Sequence, residues 1–312
     1  MVVADTHDNL LLFTNRGRVY QLKAYEVPDT ARQGKGLPIV NLVSVDPGET
    51  VTAVEAMSSL DDGDYFLMAT RRGEIKKTPV REFASVRSSG LIAMSLEAGD
   101  EMVAVHYCRR GSEVMLVTEQ GQAIRFAEAE LRAASRTSGG VRGIRLGAGD
   151  NVVTMDVVDP ELDLLVVTAN GFGKRTALAE FPTQGRGGGG VRAVKVTDRT
   201  GPVADAKVVR PTEELVIISA AGLVIRTPVE RIPSYGRSSQ GVNVMSLNRD
   251  DRVVRIASTN GGGASKPGAS PSAHPRAGAA SGALPRVDAD AEPLDGQVES
   301  GDGEVTSPEP AS

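Results

Sequence analysis

The sequence lacks tryptophan, has a single cysteine and has few aromatic side chains, which amount to 4% of its 312 residues. Cys108 alone cannot form an intrachain disulfide or a metal site of several cysteines, and because it closes an apolar run we expect it to be buried rather than reactive. The sequence has no run of about 18 uncharged apolar residues and its N-terminus does not resemble a signal peptide, so we expect no transmembrane helix. These absences favour a soluble, cytoplasmic protein.

The net charge of −5 is confined to the last sixth of the chain. Residues 261–312 contain three basic and eight acidic side chains, which account for the whole excess, whereas the two signs balance in residues 1–260. The same terminal segment consists mainly of Gly, Ala, Ser, Pro and acids, and such a composition buries too little apolar surface to offset the entropy of ordering. We therefore predict a folded domain over residues 1–260 and a disordered acidic tail over residues 261–312.

The folded part repeats with a period near 50 residues. Each repeat has an apolar run, a polar turn with a glycine, a second run carrying basic residues, and then a second glycine 17 or 19 residues after the first. The turn glycines are Gly17, Gly73, Gly121, Gly171 and Gly222, and the second glycines are Gly36, Gly90, Gly140, Gly190 and Gly241. The predicted repeats span residues 5–57, 61–108, 109–158, 159–209 and 210–258.

Each repeat contains four short β-branched segments joined by turns of hairpin length, which is the pattern of one β-propeller blade. No window keeps the 3.6-residue period of a helix, so arrays of helix pairs are disfavoured. The sequence predicts an all-β propeller or pinwheel of four-stranded blades, with one strand after each second glycine, as in residues 36–42. Residues 1–4 are predicted to be the last strand of a preceding blade, and whether five repeats close into a ring is left open.

Three segments of the repeats read THDNLLLFTNRGRVYQLK, RRGEIKKTPVREF and VTANGFGKRT. They resemble the C-terminal domain of the A subunit of bacterial type IIA topoisomerases, DNA gyrase above all, and the resemblance extends over residues 1 to about 260. The resemblance implies a six-bladed pinwheel whose outer rim bends double-stranded DNA. Five repeats are present, so the first repeat of the family is expected to lie upstream of this sequence.

In that family a seven-residue box (Gln, basic, Arg, Gly, Gly, basic, Gly) in the first repeat distinguishes gyrase from topoisomerase IV. Two partial copies occur here, at residues 30–36 and 184–190. Glycines let a backbone approach a phosphate closely while Arg and Lys neutralise its charge. The residues that match the box are Arg32, Gly34, Lys35 and Gly36 in the first copy, and Gln184, Arg186, Gly187, Gly188 and Gly190 in the second.

Basic residues recur at equivalent positions of successive repeats, and in a radial fold such positions share one edge. A single basic residue at a strand end is more simply a guard against edge pairing, but the recurrence favours a belt that contacts DNA phosphates, with little base specificity and steep salt dependence. The candidate DNA-binding residues are Arg32, Lys35, Lys76, Lys77, Arg87, Arg125, Arg136, Arg142, Lys174, Arg175, Arg186, Arg192, Arg226 and Arg237.

The sequence offers no arrangement for catalysis, because its three histidines lie in unrelated contexts. We expect no catalytic residue, metal or cofactor in this chain. The resemblance implies that it works with the rest of the gyrase A subunit, together with the B subunit, in a heterotetramer that supercoils nucleoid DNA using ATP. The alternatives are the topoisomerase IV domain, which binds DNA crossings without tight wrapping, and a propeller scaffold for protein partners. The tail is either a solubilising linker or a polyanion that competes with DNA for the belt.

Overall fold

The computed structural model describes residues 2–29, 36–61, 63–86 and 89–259, and the predicted disordered tail lies outside them. In these residues the strands form five antiparallel sheets, which we number as blades 1 to 5. From the centre outward, blade 1 is β3 (Val51–Met57), β1 (Asn9–Thr14), β2 (Arg18–Lys23) and β6 (Leu91–Ile92). Blade 2 is β7 (Met102–Cys108), β4 (Tyr65–Thr70), β5 (Glu74–Pro79) and β10 (Val141–Arg142).

Blades 3 and 4 repeat this order, and blade 5 has three described strands. Blade 3 is β11 (Val152–Val158), β8 (Glu113–Thr118), β9 (Gln122–Ala127) and β14 (Val191–Arg192). Blade 4 is β15 (Val203–Val209), β12 (Asp163–Thr168), β13 (Phe172–Ala177) and β18 (Val242–Asn243), and blade 5 is β19 (Val253–Thr259), β16 (Glu214–Ser219) and β17 (Val224–Pro228). Short 3-10 turns occupy Ala24–Glu26, Ile39–Asn41, Val80–Phe83, Glu128–Glu130, Leu178–Glu180 and Val229–Arg231.

The glycine of each hairpin turn is needed for its backbone conformation. Gly171, between β12 and β13, has a φ of 81°, a region that side chains other than glycine rarely adopt. A Cβ at this position would lie 2.1 Å from the carbonyl oxygen of Met245. In blades 1 to 4 the turn glycine is therefore required both by its backbone conformation and by the close approach of the next repeat, whereas Gly222 of blade 5 is required by its φ of 84° alone.

The outermost strand of blades 1 to 4 comes from the following repeat, which differs from the prediction that each repeat forms one blade by itself. After its second glycine the chain crosses to the preceding blade, where the N–H of Ala193 donates to the carbonyl of Gly121 (2.8 Å) and that of Val244 to Gly171 (2.8 Å). The carbonyl groups of these glycines can accept such bonds because the hairpin turns of the preceding blade leave them exposed. The blades are thus linked by exchange of strands.

Two strands were predicted near the start of the chain, one over residues 1–4 as the end of a preceding blade and one after Gly36 in the first repeat; neither is present in the described residues, and both predictions were wrong. Residues 2–5 form no strand, and the segment after Gly36 contains a 3-10 turn at Ile39–Asn41 in place of an outer strand. The physical reason is that the described chain offers this segment no preceding blade to pair with. Pro38, moreover, has no N–H to donate to a ladder.

Blade 5 has a free edge along β17 in the described chain. Val224 is 57% exposed, whereas Ile75, which occupies the corresponding register position of blade 2, is fully buried beneath β10. The neighbouring Leu223 is 42% exposed. An outer strand like those of the other blades would cover both residues.

Apolar layers between neighbouring blades hold the fold together. Between blades 1 and 2, Phe13, Phe66 and Phe83 are fully buried and meet edge to face, with ring centroids 5.3–5.8 Å apart. Such pairs add to the free energy of burial. Cys108 lies in the next layer and is buried, as predicted, and burial raises the pKa of its thiol to about 11.

The inner strands of successive blades pack against one another, and four of them carry an ionisable side chain at their fifth position. Glu55, His106, Asp156 and Lys207 occupy this position in β3, β7, β11 and β15. Burial raises the pKa of Glu55 to about 8, opposed by the charge of Lys207. Among the described residues no cluster of three or more metal-binding side chains occurs. No described helix is long and apolar enough to span a membrane.

Candidate nucleic-acid interface

Three loops at the periphery carry the recurrent arginines. They comprise residues 135–140, 184–190 and 236–241, and we call them the corner loops. Each lies just before an outer strand and crosses from its own repeat to the preceding blade. Arg136, Arg186 and Arg237 are each four residues before the second glycine. The corner loops therefore present one arginine per repeat at the same edge.

Each corner-loop arginine is held by the outer strand that precedes it. The Nη1 of Arg186 donates to the carbonyl of Arg142 at 3.0 Å, and that of Arg237 to the carbonyl of Arg192 at 3.5 Å. Arg136 donates in the same way to the carbonyl of Ile92 at 2.7 Å. One guanidinium nitrogen of Arg136 and of Arg237 is thereby fixed, and Arg186 has two fixed, since its Nε also donates to the carbonyl of Glu130 at 3.3 Å. Arg186 remains exposed, and Arg136 and Arg237 are half-buried.

The outer strands add exposed cations beside these loops. Arg142 and Arg192 end β10 and β14, and both are exposed. Arg145 and Lys195, each five residues after a second glycine, are also exposed. Their backbone N–H groups donate to the carbonyls of Gly188 and Ser239, respectively, in the next corner loop. The sequence prediction missed this pair, although its repeated spacing from the second glycine was a usable signal. We call these seven residues the rim cations: Arg136, Arg142, Arg145, Arg186, Arg192, Lys195 and Arg237.

A second set of predicted DNA-binding residues lies inside the protein. Arg125, the fourth residue of β9, is 8% exposed, pairs with Glu113 and donates from Nη1 to the carbonyls of Leu178 (2.9 Å) and Phe181 (3.2 Å). These carbonyls lie in the 3-10 turn Leu178–Glu180 of the following repeat and on the residue directly after it. Because its donors are used inside the protein, Arg125 has no access to a phosphate in this structure.

We call this arrangement, in which a basic side chain pairs with a carboxylate and donates to backbone carbonyls of the following repeat, the clamp. It recurs in blades 2 and 4. Lys77 is 6% exposed, pairs with Glu128 and also donates to the Glu128 carbonyl. Arg175 pairs with Asp163 at 2.8 Å and donates from Nε to the carbonyl of Ile232 at 2.6 Å. Basic residues recur at this position of the repeat, which predicted a belt that contacts DNA. In blades 2 to 4 their recurrence has a structural cause, because each side chain joins its blade to the following repeat.

Blade 5 presents the same position without the clamp. Arg226 is exposed and pairs with Glu214 on the neighbouring strand. The described chain has no further repeat whose turn carbonyls Arg226 could bind. Arg226 is therefore the one member of the clamp position whose exposure permits contact with a ligand in this structure.

Lys76 and Lys174, the third residues of β5 and β13, are also buried, at 2% and 0% exposure. Their ammonium groups donate to backbone carbonyls of the corner loops, including that of Arg136 (2.6 Å) and that of Arg237 (2.8 Å). Burial lowers the pKa of each lysine to about 8. Neither lysine can touch DNA directly in this arrangement.

The partial box at residues 184–190 is packed against the preceding blades. The N–H of Gln184 donates to the carbonyl of Arg125 (2.7 Å), and that of Gly187 to Gly143 (2.6 Å). Gly190 has a φ of 70°, and a Cβ there would lie 2.4 Å from the carbonyl oxygen of Ala123. The fold therefore requires glycine at position 190, independently of any ligand that the loop binds.

The other partial box falls mostly outside the described residues. Of its members only Gly36 is described; it is exposed, and no atom of the described residues lies within 4 Å of the position that a Cβ would take. The predicted site residues that lie outside the described ranges are Arg32, Gly34, Lys35 and Arg87. Their part in DNA binding stays a prediction.

The exchange of outer strands and the arginine-bearing corner loops define a β-pinwheel, the class of propeller in which each blade borrows its outer strand. The family described as DNA gyrase C-terminal domain, beta-propeller, matches residues 8–56, 64–109, 112–159, 162–210 and 213–260. This chain belongs to that family.

Individual relatives and solved structures agree with this assignment. The chain is 50% identical over 255 residues to the DNA gyrase A subunit of Streptococcus pneumoniae and 42% identical over 258 residues to that of Clostridium acetobutylicum. These alignments cover 81% and 83% of this chain but 31% of each relative, so the chain spans about a third of their length. A DNA topoisomerase IV C-terminal domain matches with a TM-score of 0.74 at 27% identity, covering 81% of this chain and 79% of that one. A DNA gyrase A C-terminal domain matches at 0.72 and 26%, covering 81% and 83%.

Proposed function

We propose that this domain binds double-stranded DNA without base specificity and bends it around the outer edge of the blades. The observation that carries the proposal is the row of rim cations on and directly beside consecutive outer strands and corner loops. Five of them are exposed (Arg142, Arg145, Arg186, Arg192 and Lys195), and Arg136 and Arg237 are half-buried. Guanidinium groups neutralise phosphates and read no sequence from them. Smooth bending of 20–30 base pairs by 40–90° costs about 1–6 kcal/mol, which contacts along a curved row can offset.

We further propose that the domain serves a DNA gyrase. Relatives at 38–51% identity include gyrase A subunits of several bacteria. In such an enzyme a bent duplex returning over the rest of the A subunit would bias strand passage toward negative supercoils. The implied partners are the remainder of the A subunit plus the B subunit, which would act on nucleoid DNA in the cytoplasm. The topoisomerase IV alternative rests on the similar fold match and differs in predicting binding without wrapping.

Equilibrium binding to a random-sequence linear duplex across a salt series tests the proposal. We expect tight binding at low salt, with log K falling against log salt at a slope of roughly −4 to −6, because each phosphate contact contributes about −0.9 and seven rim cations are available. The assay should include the chain ending at residue 260, since the acidic residues 261–312 would compete for the rim if they act as a polyanion. No binding by either form at low salt would refute the proposal and favour a scaffold for protein partners.

A further inference from the structure

Two buried lysines lie directly beneath corner loops that carry rim arginines. The Nζ of Lys174 donates to the carbonyls of Gly236 (2.7 Å) and Arg237 (2.8 Å). The Nζ of Lys76 donates to the carbonyls of Ser135 (3.1 Å) and Arg136 (2.6 Å), and also to Ala93 and Ser138. Burying an ammonium without a carboxylate is costly unless backbone dipoles satisfy it. Here the carbonyls of the corner loops supply that satisfaction.

The chain contains its own comparison in blade 3, where the corresponding residue is Ile124. The corner loop above it, residues 184–190, is rich in glycine, and a Cβ at Gly188 would lie 3.6 Å from Cδ1 of Ile124. This loop is fastened instead by the bond from the N–H of Gly187 to the carbonyl of Gly143. An apolar residue therefore fits this position beneath the glycine-rich loop. Beneath the other two corner loops, which are less rich in glycine, the position is occupied by a lysine.

The other two corner loops share a different local structure. In each, a serine hydroxyl donates back to a carbonyl three residues earlier, from Ser138 to Ser135 (2.8 Å) and from Ser239 to Gly236 (3.0 Å). Carbonyl groups of these turns face the blade, and the ammonium group of a lysine donates hydrogen bonds to them. The lysine and the serine turn thus form one unit that sets the path of the loop.

We propose that Lys76 and Lys174 are positioning residues for DNA binding, which fix the corner loops so that Arg136 and Arg237 are held at the phosphate path. This inference rests on the proposed DNA-binding function. Neither lysine contributes a phosphate contact of its own, because both are buried. Each acts only through the arginine whose peptide group it holds.

A double-mutant cycle with Lys174→Met and Arg237→Ala tests this coupling, with DNA affinity as the readout. We expect each single variant to weaken binding roughly three- to tenfold and to lower the salt slope by about one, as for loss of one phosphate contact. The double variant should bind like Arg237→Ala alone. Ile124→Met, which places the same residue at the same position of blade 3, should bind like the unmodified chain.

Hydrogen exchange of the free protein provides a readout that needs no DNA. Lys174→Met should raise exchange in residues 236–241 while exchange in residues 184–190 stays unchanged. If Lys174→Met unfolds the chain, Lys76→Met with Arg136→Ala forms an equivalent cycle in blade 2. A pH series adds a signature, because burial lowers both lysine pKa values to about 8.

The lysines carry their charge below pH 8 and lose it above, so binding by the unmodified chain should weaken from pH 7 to 9 more than binding by the methionine variants. The charged groups that face them are Glu180 and Arg237 at Lys174, and Glu82 and Arg136 at Lys76. Unchanged loop exchange in Lys174→Met, or multiplicative losses in the double variant, would overturn the inference while leaving DNA binding intact. Failure of the unmodified chain to bind DNA would instead refute the proposed function, and the inference with it.

Discussion

Replacing Arg142, Arg145, Arg186 and Arg192 together by glutamine is expected to weaken DNA binding by about a hundredfold or more at moderate salt. All four side chains are exposed on the outer strands and corner loops or, for Arg145, three residues after β10. Because each phosphate contact contributes about 0.9 to the salt slope, the slope of log K against log salt should become shallower by roughly 3.6. Fluorescence anisotropy with a random-sequence duplex, at several salt concentrations, measures both quantities.

A matched variant separates the rim from net charge. Arg109, Arg110, Arg249 and Arg252 are also exposed but lie in turns that connect strands, away from the outer strands. Replacing these four by glutamine removes the same charge, and we expect the salt slope to stay unchanged and affinity to fall only slightly. Equal losses in the two quadruple variants would mean that DNA responds to overall charge, and the rim would have no special role.

Replacing Phe66 by alanine is expected to lower the free energy of unfolding by roughly 3–5 kcal/mol. Phe66 is fully buried and contacts Phe13 of blade 1 and Phe83 of its own repeat edge to face. The substitution leaves a cavity in the layer that joins the two blades, and in a domain of this size such a loss shifts Tm by about 10 °C. Thermal unfolding followed by circular dichroism measures the effect.

The repeat supplies the control for this variant. The second residue of the corresponding strand is Leu164 in blade 4, where it is buried. Phe66→Leu keeps most of the apolar volume and should cost less than about 1.5 kcal/mol. If alanine and leucine at this position were equally mild, the aromatic layer would not be what joins blades 1 and 2.

Much of the fold could be predicted from the sequence because a repeat multiplies every local signal. The turn glycines, the alternating apolar runs and the spacing of the second glycine pointed to blades, and the structure has them. The exchange of outer strands could not be predicted, since the two-residue segment at Val191–Arg192 has the same pattern whichever blade it joins. Its partner is decided by the long-range approach of Gly190 to Ala123.

The candidate site was predicted less completely, for a related reason. Equivalent positions in a repeat reveal that a residue recurs, but both a structural clamp and a ligand contact recur. Arg125 and Arg186 look alike in sequence, yet the first binds Glu113 and turn carbonyls inside the protein while the second is exposed. Only the depth of each position, which depends on how neighbouring blades pack, separates the two roles.

The change in linking number that the chain imposes on closed circular DNA tests the central claim most directly. Relaxed circles are incubated with the chain, treated with a topoisomerase that relaxes free supercoils, and analysed after the protein is removed. We predict a shift in mean linking number that grows with bound protein and is lost in the quadruple rim variant. Saturated binding with no shift would contradict wrapping around the rim, and would leave a domain that holds DNA without bending it.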